Sequence, residues 1–234
     1  MGVNWWQGRR RISVVVDNES WILPYAERLL SDLSRAGDEV RLIRDYESLP
    51  DGDIAFLLGC VNLAPAEVLN RNRLSLVVHE SDLPKGRGFA PVAWQILEGK
   101  SEIKVCLIEA LPNLPDGGDI YHSDTLRFTG NELNPEIRHA QGEISIRLCA
   151  EFMAMPVLPV AVPQVGAVTK YARRRPADSR LDPTKSLSDQ FQLLRVVDNR
   201  RYPAFFDHAG RRYILRIEAA DNDSDAKRID HSNE

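Results

Sequence analysis

The 234-residue chain has few cysteines, and those it has are badly placed for disulfide or metal chemistry. Cys60, Cys106 and Cys149 are odd in number, far apart and set inside apolar runs. Such a set makes neither a disulfide framework nor a CxxC metal site, and reads instead as three small buried hydrophobes. Charge of one sign is missing too: 30 Lys and Arg against 34 Asp and Glu leave a net charge of −4, with the signs interspersed. An extended phosphate backbone is a poor partner for that surface, so nucleic acid is not expected. The opening MGVNWWQGRRR lacks an apolar run of signal-peptide length, and Trp6 stands where a myristoylation signal needs Ser or Thr. Export, lipid anchoring and membrane association are therefore not expected, and a cytoplasmic location is.

Several common chemistries are missing as motifs. GKS at Gly99 to Ser101 has Trp94 where a phosphate-binding loop needs glycine. GRG at Gly86 to Gly88 is followed by neither the third glycine nor the strand-to-helix turn of a dinucleotide site. No GxSxG elbow and no histidine pair of zinc spacing occurs, which excludes those hydrolase and metal signatures, and no metal is expected. Arg173 to Arg175 could grip a phosphate, but lying beside prolines they read as a solvated connector.

What is present is an alternation of strands and helices. ISVVVD, Ile12 to Asp17, is a β-branched run suited to burial on both faces of a parallel sheet. Leu23, Ala26, Leu29, Leu30 and Leu33 recur at helical steps between Trp21 and Ala36, and Gly37 stops the helix. Glu39 to Asp45, Asp53 to Gly59 and Leu74 to Val78 read as strands, with a short helix at Pro65 to Leu69. A helix from Ala90 to Gly99, a strand from Glu102 to Ala110, a tight loop from Asn113 to Tyr121 and a long helix from Glu132 to Met153 follow. The expected class is α/β: a Rossmann-like, mainly parallel sheet with helices on both faces and a small C-terminal helix and β-hairpin appendage. The expected divisions are a main domain over 12–155, a Pro/Arg-rich connector over 156–188, a helix-hairpin piece over 189–218 and a disordered tail over 219–234.

LVVHESDLPKGRG, Leu76 to Gly88, is the stretch that suggests chemistry. Ligands collect at the carboxyl ends of strands in open parallel sheets, and His79 ends one, sharing a strand face with Ser75 and Val77. Gly86 and Gly88 would let backbone approach a ligand closely. The loop PDGGDIY, after the next long strand, would bring Asp116 or Asp119 to the same sheet edge. A histidine beside a carboxylate is suited to moving a proton near neutral pH.

HESDLPKGRG, PVAWQILEG and DGGDI together resemble the transferases that use 10-formyltetrahydrofolate: glycinamide ribonucleotide, methionyl-tRNA and sugar N-formyltransferases. Of that family's pattern Asn-x-His-x-Ser-x-Leu-Pro-x-x-x-Gly, this chain has His79, Ser81, Leu83, Pro84 and Gly88, and Asp116 with Gly118 matches the later Asp-x-Gly. YARRRPADSRLDPTKS and DNRRYPAFF resemble the later segment of the small sugar N-formyltransferases of bacterial surface-sugar synthesis.

The resemblance implies an enzyme that moves a formyl group from 10-formyltetrahydrofolate, as co-substrate, to the amine of a nucleotide-linked amino sugar; a homodimer is compatible with it. His79 would stabilise the oxyanion or assist proton transfer, and Asp116 would orient it and help remove the amine proton. The pterin would lie against Leu58, Gly59, Cys60, Val61, Leu111 and Pro112, and the acceptor against Asn18, Ser20, Trp21, Lys85 and Arg87. One departure stands out: the family's asparagine is Val77 here. Losing an oxyanion donor typically costs about a hundred- to a thousandfold in rate. Either a neighbour such as Asn18 or Asn62 replaces it, Ser75 lying deeper, or the chain is a catalytically weak or inactive folate- or sugar-binding relative.

Overall fold

The computed structural model describes residues 5–220. The chain divides into two compact units, Met1–Thr129 with Arg138–Arg173, and Gly130–Ile137 with Arg174–Glu234. Most of the tail read as disordered, from residue 221 onward, lies outside the described residues.

The first unit is built on a six-stranded sheet. Its strands are β1 (Arg11–Val15), β2 (Glu39–Ile43), β3 (Gly52–Leu57), β4 (Asn72–His79), β6 (Glu102–Glu109) and β7 (Ile120–Arg127), in spatial order β2-β1-β3-β4-β6-β7. The first four are mutually parallel, whereas β6 runs antiparallel to β4 and β7 antiparallel to β6. A second, two-residue pairing joins β5 (Arg87–Gly88) to β8 (Lys170–Tyr171).

The continuous apolar runs follow from burial on two faces. Ile12, Val14, Ile54, Phe56 and Leu76 point to one side, where they pack with Ala26, Leu29 and Leu33 of α1 (Leu23–Arg35) and with Ile146, Cys149 and Phe152 of α4 (Asn134–Ala154). Val15, Ala55 and Leu57 point to the other, against Val68 and Leu69 of α2 (Ala66–Leu69). Each buried Val, Leu, Ile or Phe among them contributes about 1.5–3 kcal/mol, so a one-residue slip of any central strand would be costly. α3 (Pro91–Leu97) buries Val92 and Ile96 between β5 and β6 in the chain.

Two expectations change. β7, IYHSDTLR, was not expected as a strand: it is an edge strand, most of its residues are only half-buried, and it carries no apolar alternation. Residues 156–173, the first half of the expected connector, belong to the first unit: Val162 exchanges backbone hydrogen bonds of 2.8 Å with Ile120, and β8 pairs with β5. The second unit contains α5 (Phe191–Val196) and the hairpin of β9 (Ala204–His208) and β10 (Arg211–Leu215), packed around Leu181, Leu194, Val197 and Ala204. Within it, buried Arg195 donates to the Glu132 carboxylate and backbone carbonyl, both at 2.9 Å.

Candidate active site

His79 is the last residue of β4 and is buried opposite Cys106 of β6. Its Nε2 lies 3.0 Å from the carbonyl oxygen of Gly86. A carbonyl can only accept, so Nε2 carries the hydrogen, and in the neutral ring Nδ1 keeps its lone pair. The loop between them doubles back, with Ser81 N–H donating to the His79 carbonyl and Lys85 N–H to that of Asp82. The amide of Gly86 donates to Thr169 Oγ1 at 2.8 Å.

Asp116 comes from the loop after β6 and accepts the Gly88 N–H at 2.6 Å. That loop starts low on β4, where Ala110 N–H donates to the Ser75 carbonyl, because β6 is antiparallel. The strand end therefore points away from His79, contrary to the expected direction, and the loop must fold back to reach Gly88. Gly118 permits this: a Cβ there would sit 2.0 Å from the Glu109 carbonyl oxygen. The glycine of the Asp-x-Gly motif thus has a steric reason.

Histidine and carboxylate are anchored to the same short segment, Gly86 to Gly88, but no hydrogen bond joins them among the described residues. The imidazole is oriented by a backbone carbonyl, which corrects the expectation that Asp116 orients it. Asp119 is held elsewhere, its carbonyl accepting from Glu109 N–H.

The other candidates separate into three groups. Leu58 is withdrawn as a pocket side chain: it is 2% exposed and packs in the main core. Gly59, Cys60 and Val61 follow β3 at the sheet end; Val61 is exposed, and Cys60 packs in the same cluster as Ala110 and Val77. Burial, with a smaller contribution from Asp17, pushes the Cys60 thiol up to about 11, so it is a poor nucleophile. Leu111 is half-buried and Pro112 exposed, in a turn bridged between Leu111 and Leu114. In the loop after β1, Ser20 is half-buried, and Trp21 packs edge-on against Tyr25 beneath the guanidinium of Arg138. Lys85 lines a groove of about 750 Å³ with Lys100, Lys104 and Lys170, whereas the Arg87 guanidinium turns to Gln164. No hydrogen bond among the described residues links Asn18, Ser20 or Trp21 to Lys85 or Arg87.

Nor does a neighbour replace the absent asparagine. Ser75 Oγ donates to the Leu69 carbonyl, away from the site. The Asn62 side-chain amide donates to Asp17, and that of Asn18 to Asp17 and the Gly59 carbonyl. Asp17, which the reading of the strand did not single out, lies beside these candidates. It stands just after β1, where the chain's neighbours diverge to either side, the usual ligand crevice of such a sheet. Its carboxylate accepts from the backbone N–H groups of Val61 and Asn62. Partial burial alone would raise its pKa, but the hydrogen bonds from Asn18, Val61 and Asn62 outweigh it and hold the group below the usual carboxylate range. An Asp directly after a β-branched run, followed by Asn, was the available signal.

Among the described residues no cluster of three or more His, Cys, Asp or Glu side chains is placed to hold a metal ion. No helix there is long and apolar enough to cross a membrane.

No protein-family profile matches the chain. Methionyl-tRNA formyltransferase of Rhizorhabdus wittichii is 31% identical over 173 residues, which are 72% of this chain and 55% of that protein. The chain is a homologue of the formyltransferase family. It spans about half the length of that curated relative. Among solved structures, methionyl-tRNA formyltransferase from Clostridium thermocellum superposes on this homologue with a TM-score of 0.76 at 21% identity, covering 91% of this chain and 94% of that one. A 4-N formyltransferase from Francisella tularensis gives 0.68 at 16%, covering 91% and 98%. HypX from Aquifex aeolicus in complex with tetrahydrofolic acid gives 0.70 at 17%, covering 90% and 38%. At these identities the structures establish the shared α/β Rossmann-like fold.

Proposed function

We propose that the chain transfers a formyl group from 10-formyltetrahydrofolate to the amine of an amino sugar. The observation that carries this reading is the anchoring of His79 and Asp116 on either side of one three-residue segment, Gly86 to Gly88. The neutral amine attacks the formyl carbon, forming a C–N bond and an oxyanion. The nitrogen then loses one proton, the C–N10 bond breaks, and N10 takes up a proton, leaving tetrahydrofolate and the N-formyl product. In this reading the half-buried carboxylate of Asp116 accepts the amine proton, and His79, with Nε2 committed to Gly86, acts through Nδ1 as oxyanion donor when protonated or proton carrier when neutral. The pterin lies against Gly59 to Val61 and Leu111 to Pro112, and the acceptor against Ser20, Trp21 and Lys85.

The resemblance of YARRRPADSRLDPTKS and DNRRYPAFF to sugar N-formyltransferases supports an amino-sugar acceptor, and the balanced charge of the chain does not favour tRNA. Incubating the full chain with the donor and a panel of amino sugars, while following tetrahydrofolate release, tests the reading. Turnover lost in His79→Ala and Asp116→Asn is expected; no turnover above background with any amine would end it.

Val77 favours a second reading, a binding relative with weak chemistry, because Ser75, Asn18 and Asn62 are all committed elsewhere. Calorimetric binding of tetrahydrofolate without turnover would support it.

A further inference from the structure

Residues 164–171 cross both loops of the candidate site. Gln164 uses its whole amide to do so: Nε2 donates to the carbonyl oxygens of Asp116 at 3.0 Å and Gly118 at 2.8 Å, and Oε1 accepts from Arg87 Nη2 at 2.6 Å. Arg87 lies between Gly86, whose carbonyl orients His79, and Gly88, whose N–H holds Asp116. Further along, Thr169 Oγ1 accepts from Gly86 N–H, and its carbonyl accepts from Arg87 N–H at 3.0 Å. One side chain therefore grips the histidine-bearing loop by a charge-assisted bond and the aspartate-bearing loop by two neutral ones.

We propose that Gln164 is a positioning residue for formyl transfer, fixing the distance between the His79 and Asp116 loops. This rests on the formyl-transfer reading. Two reacting groups carried by separate loops have no covalent tie, and a misplacement of roughly 1 Å can cost about a hundredfold in rate. Here His79 and Asp116 share no direct hydrogen bond, and the bond from Gly88 N–H fixes only one oxygen of the carboxylate, so their separation also depends on Gln164, which binds the backbone of the Asp116 loop to Arg87. Gln164 touches neither reacting group, so its loss should be felt in turnover and not in substrate affinity.

The test uses Gln164→Leu and Gln164→Glu in the full chain. Leucine removes all three bonds. Glutamate keeps an acceptor for Arg87 but sets a carboxylate against two carbonyl oxygens, so the two variants separate the grips. With 10-formyltetrahydrofolate and the best amino sugar, Q164L should lower kcat by roughly ten- to a hundredfold while both KM values stay within about twofold; Q164E should fall at least as far. Hydrogen exchange followed by mass spectrometry gives a readout independent of turnover. In Q164L, exchange should accelerate about tenfold or more in segments 86–88 and 116–118 together, the rest of the chain being unchanged. A kcat within twofold of wild type, KM values rising in step with the loss of kcat, or unchanged exchange in either segment would overturn the proposal. If the wild-type chain turns over no amine, formyl transfer itself fails, and exchange alone decides whether Gln164 couples the loops. Should Q164L not fold, Gln164→Met, of similar length, is read by the same criteria.

Discussion

The Asp17 carboxylate occupies the backbone N–H groups of Val61 and Asn62 that could otherwise receive an anionic ligand. Its pKa is lower in the folded chain than in the unfolded one. Its contribution is therefore fully present above the unfolded value and is lost as pH falls through the folded one. Asp17→Asn should destabilise the chain by about 1–2 kcal/mol near neutral pH. The gap from wild type should narrow below about pH 4, as urea unfolding over a pH series would read; a gap independent of pH would show that the charge of Asp17 contributes nothing. Val77 packs against two apolar clusters, and lies two residues before His79 on the same strand face. Val77→Asn should restore the family's donor, raising kcat about tenfold or more while costing about 1–3 kcal/mol for burying an amide among apolar side chains. No gain in kcat would mean that the chemistry here does not use that donor.

At the scale of elements, the paired loops depend on glycines whose missing Cβ leaves room for backbone. A Cβ on Gly88 would lie 2.3 Å from the Tyr171 carbonyl oxygen, and its φ of +103° adds strain. Gly99 has φ of +83° but open space around it. Gly88→Ala should therefore cost about 2–4 kcal/mol and loosen β8 from β5, against about 1 kcal/mol for Gly99→Ala; equal losses in urea unfolding would mean the clash is relieved without displacing β8. The same elements show what could be read in advance. β1, β3 and β4 are legible because burial on both faces requires near-continuous apolar runs, and α1 because one face repeats at helical spacing. The direction of β6 was not legible: a segment containing one short helix can return the chain parallel or antiparallel, and side-chain pattern is the same in both. His79 and Asp116 were picked out through the motif, and Gly86 and Gly88 through residue type, but the hydrogen bonds from those glycines' backbone atoms to the two side chains could not be read from the sequence. Gln164 was invisible for a related reason, since an amide in a proline-rich stretch carries no periodic signal.

At the scale of the whole molecule, every residue proposed to meet the folate belongs to the first unit, and the second contributes its own small core around Leu194 and Ala204. A ligand that binds only the folded form of the first unit stabilises it by RT ln(1 + [L]/Kd), about 2.7 kcal/mol at a hundredfold excess over Kd. For a unit of this size each kcal/mol moves the midpoint by roughly 2–4 °C, so tetrahydrofolate at that excess should raise it by about 5–11 °C. Calorimetric scans would resolve whether the units melt together or apart. If they melt apart, only the transition of the first unit should move, and His79→Ala should leave most of the shift while abolishing turnover, because the ring is proposed to serve the transition state and not the bound folate. A shift confined to the second transition, or no shift at saturating tetrahydrofolate, would remove the folate from both the transfer reading and the binding-relative reading, since each requires a pterin at the end of this sheet.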